Sequence, residues 1–197
     1  MKILAAIIAH PLRKVSGATN AARDLTEAIA PLADIELAIM WDRTETAVHH
    51  GVTTHYLKCW NWLSVAAGVA PRFASVPLYD SDLPALATSG RYDLVHIHNL
   101  IPSFAAQRLA AACRAKGVPY VVSGHGFYEL DRYAEINGFG RVRSMLANLA
   151  VTKPFRRVVR GASAIFALSD FDRELVAPLG VGPERVHLVT NGVNEFY

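Results

Sequence analysis

Polar residues recur where short apolar runs end, and these are the positions at which the chain can do chemistry. His10 follows the run Lys2–Ala9, and His98 with Asn99 closes the run Asp93–His98. His125 stands between Gly124 and Gly126 just past the run Val118–Ser123. Ser169 follows Ala164–Leu168, and Asn191-Gly192 follows Val186–Val189. Glycines on both sides of an imidazole let the backbone bend and a substrate approach closely. His96 and His98 alternate along one run, so as strand residues they share a face. With His10 or His125 as a third ligand, such a pair has the makings of a zinc site that activates water. No Asp or Glu stands at these run ends to complete it: Asp93 lies at the opposite end of its run and Glu129 in the loop beyond. The metal-dependent hydrolase using His10, His98 and His125 therefore ranks below a reading in which His98 and Asn99 contact a substrate and His96 is a core histidine. Each position also has a plain structural use. Ser169 reads as a helix N-cap, Asn191-Gly192 as a turn, and His125 as a loop residue held by the backbone.

Those positions gain meaning from the elements that carry them. Short apolar runs alternate with helical patterns, which defines an α/β fold built on a parallel sheet. The first run is followed by a loop, Gly17 and a helix whose apolar spacing, Ala18, Ala22, Leu25 and Ile29, predicts the buried face. Val52–Leu57 and Ser75–Tyr79 are weaker strands. Ser103–Lys116 predicts a helix with Ala105, Leu109, Ala112 and Cys113 inward and Gly117 as its cap. Ser169-Asp170-Phe171-Asp172 resembles a capping box. Open parallel sheets bind ligands outside the carboxyl ends of their strands. The five polar run ends are thereby expected to converge on one cleft, with Thr19, Asn20, Tyr128 and Glu129 beside it.

The bulk numbers set bounds. With 197 residues, 52% hydrophobic and 19% charged, the chain is long enough to bury a core without staples and reads as one soluble domain. Two cysteines, Cys59 and Cys113, are too few for a disulfide framework, which points to a reducing, cytoplasmic setting. The opening MKILAAIIAHP is too short for a membrane span and lacks a small-residue cleavage site, so it reads as a buried strand. The net charge of +3 is mild, but its distribution is not: residues 139–161 hold six basic residues and no acidic one. A solvated helix face explains such a run. Contact with an anionic membrane surface also explains it, since Met145, Leu146, Leu149 and Val151 interleave with the charges. Nucleic acid fits poorly, because the aromatics cluster at Tyr56–Trp62 instead and no recognition motif is present.

The order VSGATNAARDL, YDLVHIHN, VPYVVSGHGFYE, GASAIFALSDFDRELVAPLGV and PERVHLVTNGVNEF resembles the retaining GT-B glycosyltransferases related to glycogen and sucrose synthases, the family 4 type, over nearly the whole chain. The most specific part is a strand ending in serine with NGV some twenty residues later. The resemblance implies a Rossmann-like parallel sheet flanked by helices, the N-terminal half of a GT-B fold, in which 1–197 is the acceptor-side domain and the C-terminal donor-binding domain is absent. It implies a nucleotide-sugar donor, a glycan, lipid or small-molecule acceptor, no metal or other cofactor, and little activity for this half alone. His125 becomes the catalytic-site histidine that orients the donor sugar. Gly17, Ser169, Asn191 and Gly192 face the donor, although Ser16 stands where many relatives have a second glycine. Thr19, Asn20, His98, Asn99, Tyr128 and Glu129 take acceptor hydroxyls. The expected location is cytoplasmic, with the basic segment as a peripheral contact at the inner membrane face. A stand-alone acceptor-binding module is the alternative of another class.

Overall fold

Leu4 to Ile8 have no exposed surface, and the strand they build, β1 (Lys2–Ile7), runs through the middle of the sheet. The computed structural model describes residues 1–10, 17–68, 73–124, 127, 133–136 and 138–190. β1 pairs in parallel with β2 (Asp34–Trp41) on one side and β6 (Leu94–His98) on the other. Beyond β2 lies β4 (Val52–Asn61), parallel to it, with β3 (Glu45–His49) and the short β5 (Tyr79–Ser81) added antiparallel to β4. Beyond β6 come β7 (Tyr120–Ser123), β8 (Ala164–Ala167) and β9 (Val186–Leu188), all parallel. The order among the described residues is β3-β4-β2-β1-β6-β7-β8-β9. The chain thus winds outward in both directions from β1, and the order reverses between β1 and β6.

Each face of the sheet has its own core. On one face Leu4, Ala6, Ile8, Val95, Ile97, Tyr120, Val122, Ile165 and Ala167 lie beneath α4 (Ser103–Lys116) and the later helices. α4 buries Ala105, Ala106, Leu109, Ala110 and Cys113, small side chains that let helix and sheet approach closely. Gly117 ends it with φ +69°, the left-handed cap that glycine takes without strain. On the other face Ala5, Ile7, Leu37 and Ile39 pack with Ala22 of α1 (Gly17–Ile29).

Three local expectations change. The buried stripe of α1 is Thr19, Ala22 and Thr26, with Leu25 left partly exposed. Thr26 is tolerated inside because its hydroxyl donates to the Ala22 carbonyl at 2.7 Å, so no polar group is left unsatisfied. Ser75–Tyr79 is not a strand. Phe73–Leu78 is a 3₁₀ turn containing Pro77, and pairing begins only at Tyr79. β3 had no apolar alternation to announce it and is mostly exposed.

Residues 141–161 form one helical run: α6 (Arg141–Ala147), a π-helical turn (Asn148–Thr152) and α7 (Lys153–Gly161). Ser103, the first residue of α4, donates its hydroxyl to the Ala150 carbonyl within that turn. The run then leads into β8, and Ser169 caps α8 (Asp170–Val176).

Candidate active site

The reversal between β1 and β6 is the topological switch point, where parallel α/β sheets leave a crevice at the strand ends. Two hydrogen bonds fix it. The Ile8 amide donates to the His98 carbonyl at 2.9 Å, and the Asn99 side-chain amide donates to the Ile8 carbonyl at 3.4 Å. Asn99 takes φ +64°, a left-handed conformation that asparagine accepts more readily than other side chains. The chain therefore turns sharply as it leaves β6, and Asn99 braces that turn.

His98 is buried at the end of β6, its ring centroid 3.9 Å from that of His96. His96 is buried too, its Nε2 lying 2.7 Å from the Ser123 hydroxyl on β7 while the ring meets Phe166 of β8 edge-on. Parallel register sets His98 beside Ser123, so the polar ends of β6 and β7 meet directly. His10, half-buried beyond β1, stacks on Tyr79 at 6.0 Å. α1 opens at Gly17 with no acidic residue in its first turn, which leaves its N-terminal field positive and suited to an anion. Thr19 in that turn is buried and Asn20 is exposed.

Just after β7, Gly124 and Phe127 are each fixed by packing or a hydrogen bond. A β-carbon on Gly124 would fall 2.4 Å from the ring of Phe127, which is fully buried, so only glycine fits here. The Phe127 amide donates to Oδ1 of Asp172 at 3.3 Å. Asp172, itself buried, takes a second bond on Oδ2 from the Ser169 hydroxyl at 3.1 Å, and its amide donates back to Ser169 Oγ at 3.2 Å. Ser169 is thus an N-cap, and Asp172 ties the start of α8 to Phe127. His125, Tyr128, Glu129, Asn191 and Gly192 lie outside the described residues.

Of the sequence-derived residues, the strand-end group His98 and Asn99 is gathered at the switch point, and Ser169 sits at the head of α8 after β8. Phe127, Asp172 and Ser123 join them without having been singled out. Asp172 carried a signal in the Ser-x-x-Asp cap, whereas Phe127 and Ser123 declare their roles only through contacts between distant segments. Burial pushes the thiols of Cys59 and Cys113 each up to about 11, so neither is a thiolate nucleophile at neutral pH. The family match given below favours transfer over the metal hydrolase. Among the described residues no three His, Cys, Asp or Glu side chains group as a metal site, with His125 outside that set.

An open, mostly parallel sheet with helices on both faces, its strand order reversing between β1 and β6, has the Rossmann-like architecture of one half of a GT-B fold. More particularly, the chain belongs to Glycosyltransferase Family 4, whose sequence model matches residues 15–195. Among solved structures it is similar to Anabaena Alr3699/HepE in complex with UDP, with 17% identity and a TM-score of 0.55 over 98% of this chain and 45% of that one. It is also similar to the lipopolysaccharide outer core galactosyltransferase WaaB, with 12% identity and a TM-score of 0.57 over 98% of this chain and 46% of that one. Phytolacca americana UGT2, complexed with UDP-2fluoro-glucose and pterostilbene, gives 12% identity and a TM-score of 0.55, covering 98% of this chain and 55% of its own. The chain spans about half the length of these structures. No curated protein matches it significantly in sequence. Among the described residues no helix is long and apolar enough to cross a membrane.

Proposed function

We propose that this chain is the acceptor-side domain of an enzyme that moves a sugar from a nucleotide-sugar donor to an acceptor hydroxyl with retention of anomeric configuration. The family match over residues 15–195 carries the reading, and the topological switch point between β1 and β6, the usual ligand position in such sheets, supports it. HepE and UGT2 were solved with UDP or a UDP-sugar bound, which makes a nucleotide-sugar the donor class to test. In this reading the donor diphosphate lies against the amides at Gly17, where the positive end of α1 stabilises the charge that develops as the sugar–phosphate bond breaks. Ser169, Asn191 and Gly192 border the donor. His125 is the catalytic-site residue that hydrogen-bonds and orients the transferred sugar. Asn20, Asn99, Tyr128 and Glu129 meet the acceptor, a glycan, lipid or small molecule, with the buried Thr19 and His98 at the floor of its cleft.

The half missing relative to the solved structures supplies the nucleotide pocket, so 1–197 folds but does not turn over. The reading assigns no metal to this half, and places the enzyme in the cytoplasm.

The test is transfer from UDP-, GDP- and ADP-sugars by the protein as its cell makes it. His125→Ala is expected to lower kcat by about 100-fold or more with an unchanged melting temperature. Sugar transfer by purified 1–197 alone contradicts the division of labour.

A further inference from the structure

The helical run 141–161 has a feature that the transfer reaction does not use. Val142, Met145, Leu146 and Leu149 are 69%, 58%, 55% and 49% exposed, a patch of large apolar side chains at helical spacing, whereas Val151, expected beside them, is buried in the core. Immediately after it Lys153, Arg156, Arg157 and Arg160 repeat the same spacing on α7 and together line one shallow groove. The opposite face of α7 buries Pro154, Phe155, Val158 and Val159. The π-helical turn between the two halves is pinned to α4 through Ser103, which makes the run a fixed part of the surface. With Arg141 and Arg143 added, the run carries six cations and no acid.

We infer that this run docks on an anionic lipid bilayer, the apolar half of α6 entering the headgroup boundary and the cationic groove of α7 lying on the phosphates. Charge complementarity selects that occupant. A second copy of the chain pressed against this patch would bring six cations against six. A nucleic-acid backbone would satisfy the cations but leave four large apolar side chains in water. Only a charged interface with an apolar layer beneath it uses both halves. The run lies in the connection between the parallel strands β7 and β8, which crosses from the carboxyl side of the sheet to its amino side.

The test is co-sedimentation of the purified chain with vesicles of phosphatidylcholine alone and of phosphatidylcholine with phosphatidylglycerol. The expected result is partition to the anionic vesicles only, released at about 0.5 M salt, where the Debye length falls to a few ångströms. Lys153→Gln with Arg157→Gln should weaken partition about 25-fold, roughly fivefold for each charge. Met145→Ser with Leu149→Ser should weaken it at least tenfold at unchanged salt dependence. All four side chains are exposed, so both variants should melt with the parent, and the salt series on the unaltered chain needs no variant. Equal partition to both vesicle types, partition to neither, or charge-variant binding equal to the parent's overturns the inference. So does concentration-dependent self-association abolished by the two serines. No sugar donor enters the assay, so its outcome is independent of whether the enzyme transfers sugar.

Discussion

The two edges of the sheet both gather polar side chains, and they use them in opposite ways. At the amino edge the buried Glu36 of β2 collects donors from four directions. Lys2 reaches it at 2.6 Å, Tyr92 at 2.6 Å, His55 at 2.8 Å and Arg91 at 3.1 Å. At the carboxyl edge Asn99, Asp172 and Ser169 spend their bonds on backbone amides, carbonyls and one another, shaping the loops around the switch point. One edge is a closed charge network that ties three strands together. The other is a set of separate braces on the backbone. A saturated carboxylate has no bond left for a ligand, so the Glu36 cluster serves stability, whereas the carboxyl-side bonds fix backbone at Ile8, Phe127 and the head of α8.

The sharpest way to break the comparison is at Glu36. Removing one member of a buried charge cluster strands the others, so Glu36→Ala should cost about 3–5 kcal/mol by urea unfolding. The same carboxylate governs acid stability. Burial alone would raise its pKa, but hydrogen bonds from Lys2, Tyr92 and His55 and the Arg91 charge outweigh that and lower it from 4.5 to about 2. The unfolded chain therefore binds the extra proton. The contribution, about 3 kcal/mol, is complete above pH 4.5 and disappears as pH falls toward 2. A flat stability profile across that window would remove Glu36 from the account.

On the carboxyl edge the effects are smaller and local. Gly124→Ala forces a β-carbon into the Phe127 ring and should cost about 1–3 kcal/mol, read as a lower melting temperature. Asp172→Ala leaves the Phe127 amide without its acceptor. It should cost about 1–2 kcal/mol and speed hydrogen exchange at that amide. Asn99→Val, β-branched at φ +64°, should cost about 1–2 kcal/mol, while Asn99→Gly costs less because glycine takes that conformation freely. If Gly124→Ala or Asp172→Ala cost as much as Glu36→Ala, the distinction between the edges would fail.

What was legible in the sequence follows the same divide between local and distant. β1, β6, β7 and β8 were readable because buried parallel strands are apolar runs, and the Gly117 and Ser169 caps are local chemistry. The face of α1 was misjudged because Thr26 satisfies its own hydroxyl and so enters the core as an apolar residue would. β3 was missed because its turn, His50-Gly51 with φ +47° and +81°, lacks the asparagine or aspartate that usually marks such a hairpin. Asp172 and Phe127 lie 45 residues apart, and no local pattern records a hydrogen bond across that distance. The strand-end rule pointed to the end of β6, where Asn99 turns the chain. The contacts of Gly124 and Phe127 needed coordinates.

The most direct test of the central claim is the rate of sugar transfer by the native protein with His125→Ala set against Glu36→Gln, both at a temperature where each is folded. The account predicts that His125→Ala loses about 100-fold or more in kcat while melting with the parent, and that Glu36→Gln keeps its kcat while melting well below it. Full transfer by His125→Ala, or loss of kcat in folded Glu36→Gln, would contradict it.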